Sequence, residues 1–457
     1  MKRNSIIVPI SLAVIILILF GMASPMNMSD VKLKEPFVQV ETVTNLEIHE
    51  GYVSLQEETV LVKQGQKTLA KVHLGEPVIV AMAEQEEIWG YFQFPVLGRA
   101  TDGTLVVDWQ MKADTHTTYG IRSDRTHVPM VSNDDGLTWH PWDKKYNLIT
   151  DSYKSVLNDG TVMQVYTPQA EDITKYKELK EVAKVGNKTF YRIIDLPDNL
   201  RGVYIKHWDA DLKKSRIIHA KLKDDEALRY SIDGKMPIVW WGNIKETVDG
   251  ILYAGTYPAC YKDKKGQVMP NGVSFYKSCD KGATWEVISK IPYQPDITKD
   301  PVAPYKVDGC FEEPTFEILA DNTFMCVMRT GGASPMYRTY SRDAGKTWSK
   351  PEPFTPNGVK PLLMTLGNGV IVLTSGRPGV QIRLNIDGRG KSWSQPIEMM
   401  AFMEGSKYDL YASCGYASTL EADDNSFYIV YSDFKKKNKK GEYRKTIMFR
   451  KITINLQ

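Results

Sequence analysis

Six times along the chain a strand-like, largely apolar run stops at a short Asp, Asn or Gly turn and a second such run follows. The segments are TDGTLVVDW (101–109), NDGTVMQVYT (158–167), VDGILYAGTY (248–257), ADNTFMCVMR (320–329), GNGVIVLTSGR (367–377) and ADDNSFYIVYSD (422–433). Short apolar runs bounded by turn residues read as strands. Asp, Asn and Gly between two such runs supply the positive φ that a tight hairpin demands. The pattern predicts six β-hairpins, spaced by roughly 50–90 residues, a period that suits propeller blades with loop insertions.

A second repeat lies downstream of three of these hairpins: SNDDGLTW (132–139), SCDKGATW (278–285) and SRDAGKTW (341–348). NIDGRGKSW (385–393) follows the fifth hairpin as the same octet with one residue inserted, and the second and sixth hairpins have no clear copy. Its Asp can accept turn amides, its Gly supplies an unusual φ, and its Trp can pack between sheets. Two hairpin strands followed by two that meet at the octet make a four-stranded antiparallel blade. The fold class expected is therefore all-β, a six-bladed β-propeller over residues 86–457. Residues 24–85 are expected to form a leading extension with a possible closing strand.

That topology separates two rims. The hairpin turns and the octets lie on one. Residues seven to nine positions from each turn lie near the other, roughly 25 Å away at ~3.3 Å per residue. Counting back from the turns selects Gln93, Trp241, Glu313 and Tyr416; counting forward selects Gln110, Tyr257, Arg329 and Arg377. Polar and aromatic groups thus converge on one face, and the octets are scaffold.

Composition adds little to this and excludes some alternatives. The chain has 457 residues, 42% of them hydrophobic and 25% charged, the balance of a globular protein with a large core. A formal net charge of +3 gives no argument for a nucleic-acid partner, and the basic run KKKNKK (435–440) reads as a solvated turn. Lys2 and Arg3 precede an apolar run from Ile6 to Phe20 and the small residues Gly21-Met22-Ala23. This is the pattern of a secretory signal over 1–23, so export is expected, with a membrane contact only if the segment stays uncleaved as an anchor. Five cysteines, Cys260, Cys279, Cys310, Cys326 and Cys414, leave at least one unpaired, and none has metal-ligand spacing. Nothing in the sequence asks for a metal or cofactor.

At this point the sequence resembles the sialidase superfamily, whose blades carry the same octet, the Asp-box. The resemblance covers the chain after about residue 85. Glu313-Pro314-Thr315 with the following FEILADNTFMCVMRTGG is similar to the segment that holds the family's catalytic Glu and second arginine, here Glu313 and Arg329. SGRPGVQIRLNID (375–387) resembles the third-arginine segment, which makes Arg377 the match. GYASTLEADDNSFYIVYSD (415–433) resembles the segment opening with the nucleophilic tyrosine, here Tyr416. The resemblance implies a retaining exo-glycosidase in which Tyr416 attacks the anomeric carbon and Glu313 takes its proton. A neutral nucleophile avoids repulsion from the carboxylate that sialic acid carries at that carbon, and arginines would grip that carboxylate through forked bonds. An aspartate should protonate the leaving oxygen from the loop before the first octet. Asp124 is preferred there, Asp114 is its rival, and His116 or His127 are possible stand-ins.

One position departs from the family. YFQFPVLGRATDGTL (91–105) aligns around Pro95 and the Asp102-Gly103 turn, and puts Gln93 where the family has the central arginine of the clamp. Gln has no charged fork to offer. Arg99 is six residues along the strand, towards the wrong rim, whereas Arg122 or Arg125 could swing in from the acid loop. The expected substrate is a glycan ending in an acidic sugar, sialic acid or a relative. The alternative is a non-catalytic carbohydrate-binding propeller with a degraded site, and a structural or protein-interaction propeller is a further rival class.

Overall fold

The structure is a computed structural model that describes residues 38–42, 47–49, 52–54, 58–114, 127–143, 148–150, 154–167, 175–176, 178–185, 188–240, 244–257, 261–262, 268–269, 272–298, 300, 311–331, 334–400 and 412–457. The signal segment 1–23, His116, Arg122, Asp124, Arg125, Trp241, Cys260 and Cys310 lie outside them. Residues 33–457 form one compact unit. The fold is all-β: strands joined by turns, with two single-turn 3₁₀ segments at Ile193–Asp195 and Asp198–Leu200 among the described residues.

Each of the six hairpins is present, and each pairs antiparallel. Five of the six turns share one bond. The amides of Gly103, Gly160, Gly250, Asn322 and Gly369 donate to the carbonyl three residues earlier, at 2.8–3.0 Å. Asn322 takes φ +62°, standing in for glycine with a short polar side chain.

Two sheets are plain four-stranded meanders. One runs Glu312–Ile318, Phe324–Arg329, Met336–Ser341 and Glu352–Thr355; the next runs Val359–Thr365, Ile371–Gly376, Val380–Asn385 and Ile397–Met400. The first hairpin sheet contains Tyr91–Ala100, Leu105–Met111, Met130–Ser132 and His140–Pro141, with Leu148–Thr150 on the far side of Tyr91–Ala100. In the middle of the chain two sheets merge into nine strands, because Ser215–Lys223 pairs parallel with Thr284–Ile291. The last sheet joins the two ends of the described chain. Val78–Met82 and Lys67–Leu74 both pair with the long C-terminal strand Tyr443–Leu456.

The octets make repeated turns of one design. Ser132 Oγ accepts the Gly136 amide at 2.9 Å, while Asp134 accepts the Thr138 amide at 2.9 Å and its hydroxyl at 2.6 Å. Ser341, Asp343, Gly345 and Thr347 repeat this set, and Ser278, Asp280, Gly282 and Thr284 repeat its backbone part. The Thr138 bonds hold the Asp134 carboxyl down at about 2, and the Thr347 bonds do the same for Asp343. The tryptophans fill the space between sheets: Trp285 and Trp393 are fully buried, and Trp348 lies 4.3 Å from Phe275. Lys281, inside an octet, pairs with Asp159 in the second hairpin turn. Octets and hairpin turns therefore share a rim.

Cys279, Cys326 and Cys414 are free thiols.

Candidate active site

At the rim away from the octets, the first strand of several hairpins stops being regular. Pairing shifts register on both sides of Gln93, between Glu312 and Thr315, and between Val359 and Leu362. The backbone there enters the left-handed region at non-glycine residues: φ is +53° at Phe92, +51° at Phe94, +46° at Glu313 and +44° at Lys360. Arg377, at the end of a second strand, has φ +52°. Such conformations cost on the order of 1–3 kcal/mol each and persist where the surroundings over-determine them. They gather around one group of side chains.

At its centre is a triangle. The Tyr416 hydroxyl donates to Glu313 Oε1. Arg329 Nη1 donates to the same oxygen at 2.6 Å and to the Tyr416 hydroxyl at 2.8 Å. The other carboxylate oxygen, Oε2, accepts the backbone amide of Lys360 at 2.8 Å. Glu313 is buried and the Arg329 side chain is only 16% exposed, so these charge-assisted bonds act in a medium of low effective dielectric. Burial and the Glu313 charge push the Tyr416 phenol well above its ordinary value, with Arg329 opposing. At neutral pH it is therefore a protonated donor to Glu313. Burial works to lower the Arg329 guanidinium, but the charges of Glu313, Tyr416 and Glu312 and the Glu313 hydrogen bond together outweigh it, and the guanidinium is raised.

Arg377 approaches from the neighbouring sheet. Its Nε–H donates to the Cys414 carbonyl at 3.3 Å, and its guanidinium lies 5.6 Å from the ring of Trp89. This approach depends on two glycines. A Cβ on Gly376 would sit 2.1 Å from the Gly415 carbonyl oxygen, and one on Gly415, where φ is +78°, would sit 2.8 Å from Arg377 Cγ. Gly376 and Gly415 immediately precede Arg377 and Tyr416, so their lack of side chains lets the two functional strands close on each other.

Aromatic rings extend the site. Phe94 packs edge-on against Tyr416 at 4.9 Å and against Trp89 at 6.5 Å. The indole N–H of Trp89 donates to Asp114 Oδ2 at 3.2 Å. Asp114, the rival acid, is thus linked to the site through Trp89. Asp124, the preferred acid, lies outside the described residues. His127 pairs with Asp108 at 2.6 Å and meets the Trp109 ring edge-on at 4.4 Å. Arg99 donates to the Glu421 carbonyl at 3.1 Å and joins neither Tyr416 nor Glu313.

Gln93 is fully buried, with neither amide atom hydrogen-bonded among the described residues. The Gln110 amide reaches its near neighbour, the Lys112 carbonyl, at 3.2 Å. Tyr257 is close enough for its phenol to raise that of Tyr416 further.

Two neighbours of the triangle were not among the expected residues. Lys360 is buried, and its ammonium lies 5.6 Å from the Tyr416 ring centroid. Burial lowers its pKa while the charge of Glu313 opposes. Counting eight residues back from Asn368, as for the other turns, lands on Lys360, so its signal was in the spacing. Trp89 precedes its strand, and no periodicity marks it.

No family model matches the chain, and no curated relative matches it either. Among solved structures, a Dyadobacter fermentans protein of unknown function aligns over 84% of this chain and 99% of its own, at 18% identity and a TM-score of 0.56. That likeness is one of fold. A NanB sialidase from Streptococcus pneumoniae aligns over 82% of this chain and 70% of its own, at 12% identity and a TM-score of 0.47. A Hadza microbial sialidase aligns over 87% and 74%, at 14% identity and a TM-score of 0.46.

Proposed function

We propose that the chain is an exported, retaining exo-glycosidase that removes a terminal acidic sugar, sialic acid or a relative, from glycans. The observation that carries the reading is the Tyr416–Glu313–Arg329 triangle. A phenol is a poor nucleophile while protonated, and a carboxylate hydrogen-bonded to it is the base that activates it. In the first step the Tyr416 oxygen bonds to the anomeric carbon and its proton passes to Glu313. The glycosidic bond breaks, and the leaving oxygen takes a proton from an aspartic acid, Asp124 or its rival Asp114. In the second step that aspartate takes a proton from water, the water oxygen bonds to the anomeric carbon, and the Tyr416 oxygen leaves with the proton returned by Glu313. Configuration is retained through two displacements.

Arg329 serves the triangle from one side, and Arg377, stacked over Trp89, offers a cation for the sugar's acidic group. The six hairpins and the shared rim of turns and octets support a scaffold of six four-stranded blades, with the site at the opposite rim of their axis. The neutral Gln93 favours a second reading, a carbohydrate-binding protein that no longer turns its ligand over.

One experiment separates the two. The protein is incubated with fluorinated sugar traps of the sialic acid, Kdo and uronic acid classes, and the adduct is mapped by peptide mass spectrometry. Labelling at Tyr416 supports the enzyme. Binding without an adduct, together with no turnover of the matching glycosides, supports the binding protein.

A further inference from the structure

Gln93 is fully buried, and among the described residues both its amide nitrogen and its amide oxygen lack a hydrogen-bond partner. Buried polar groups are nearly always satisfied, so an amide left with neither bond calls for a specific reason. Other buried polar atoms without partners are scattered through the sheets, but this one stands beside the triangle. The Phe94 amide next to it donates to Cys414 Sγ at 3.5 Å, two residues before Tyr416, and the Phe94 ring lies 4.9 Å from the Tyr416 ring. Further along the strand the Leu97 amide donates to Ser418 Oγ at 3.2 Å, which ties the Gln93 strand to the Tyr416 strand.

The backbone singles out the same residue. Phe92 and Phe94, on either side, both have positive φ, and the pairing with Leu105–Met111 shifts before and after Gln93. Gln93 is thus held at a bulge, the device that re-aims a side chain out of a regular ladder. Strain at Phe92 and Phe94 and an unsatisfied amide between them both cost stability, a pattern found where a residue serves a ligand.

We propose that Gln93 is a specificity-determining residue of this site, reading a neutral substrate group that both donates and accepts a hydrogen bond: a hydroxyl, a hydroxymethyl or a carboxamide. The proposal rests on the exo-glycosidase reading and narrows its substrate. A primary amide presents two N–H donors and a carbonyl acceptor. A carboxylate answers only the donors and sets its own lone pairs against the amide oxygen. A neutral donor–acceptor group answers both. An anionic group elsewhere on the same sugar is left to Arg329 and Arg377.

The test uses the whole chain, as wild type, Gln93→Met and Gln93→Arg. Thermal unfolding without ligand comes first. The Met variant removes an unpartnered amide and keeps its volume, so its Tm should rise by a few degrees; a fall would mean the amide has a structural partner and would overturn the proposal alone. Calorimetric titration follows, with three 2,3-unsaturated glycals of sialic acid bearing a carboxylate, a carboxamide or a hydroxymethyl group at C1. The ratio of carboxylate to carboxamide Kd should be at least tenfold larger in wild type than in Gln93→Arg. Gln93→Met should fall between them, with both neutral probes weakened. An equal ratio in all three proteins would overturn the specificity role while leaving the glycosidase reading in place. No binding of any probe to any of the proteins would overturn the sugar class and the proposal together.

Discussion

Tyr416 and Glu313 lie 103 residues apart in sequence and share a hydrogen bond in the structure, with the phenol as donor. In the proposed mechanism this bond would couple the nucleophile to its base and set the direction of proton transfer. Tyr416→Phe keeps the ring contacts with Phe94 and removes the attacking oxygen, so kcat should fall by about 10³-fold or more with little change in substrate affinity. Glu313→Gln leaves the phenol without a base and should lose a similar factor. The double variant should lose little beyond either single one, because the two residues act as a unit. Steady-state kinetics on the three proteins checks all of this.

Lys360 adds a second cation near the same phenol. Its backbone amide holds Glu313 Oε2 and its ammonium lies over the Tyr416 ring. Lys360→Met keeps the backbone bond and removes the charge that favours a developing phenolate. A tenfold fall in kcat, worth about 1.4 kcal/mol, is expected with KM nearly unchanged. Burial lowers the Lys360 pKa, so wild-type kcat should decline on the alkaline side below the usual lysine range, and the Met variant should lack that limb. A pH profile of both proteins reads this difference.

The hairpins were legible because Asp, Asn and Gly at a turn have a local cause, the need for positive φ, and the counting rule worked because strands advance by a fixed rise. The same counting reached Glu313, Arg329 and Tyr416, three strands' worth of side chains that meet in one triangle. It did not reach the mode of contact. The bulges at Gln93, Glu313 and Lys360 arise from strand-to-strand accommodation, which has no signature in a single strand's pattern. Trp89 was invisible for a related reason. Its role comes from Arg377 and Asp114, residues distant in sequence that reach its ring and its indole N–H. The parallel pairing that fuses two middle sheets also has no local cause.

The octet Asp343 stands at the rim away from the site, and its four-residue turn is held by the bonds to Thr347 and Ser341. Asp343→Ala should lower stability by about 1 kcal/mol, since the carboxylate is well solvated and its bonds compete with water, and should leave kcat unchanged. Chemical denaturation together with kinetics separates scaffold from site in one variant. A loss of kcat in a folded Asp343→Ala protein would contradict the division of rims.

The leaving-group acid is open to a direct comparison. Asp124→Asn and Asp114→Asn are assayed on an aryl glycoside with a good leaving group and on an alkyl glycoside with a poor one. Loss of the true acid should cost about 10²-fold or more on the poor leaving group and far less on the good one. The other variant should lose both activities equally or not at all. Asp114 accepts from Trp89, and the Asn variant keeps an oxygen that can accept the same indole N–H, so its effect reports on the acid and not on the placing of the indole.

Glu398 gives the fold a pH dependence separate from catalysis. Burial raises its carboxyl to about 7, with the Arg383 charge opposing, and its Oε2 has no hydrogen-bond partner among the described residues. Between its unfolded value of 4.5 and about 7 the folded chain therefore holds more protons than the unfolded chain. Stability attributable to this group is fully present below pH 4.5 and falls as pH rises through 7, by about 3 kcal/mol over that interval. Above pH 7 the slope from this group vanishes. Glu398→Gln cannot ionise and should flatten the decline, becoming the more stable protein at pH 8 while differing little from wild type at pH 5. Denaturation midpoints of the two proteins at half-unit steps from pH 4.5 to 8.5 measure it. Parallel curves would mean that Arg383 keeps the carboxylate charged in the folded state despite its burial.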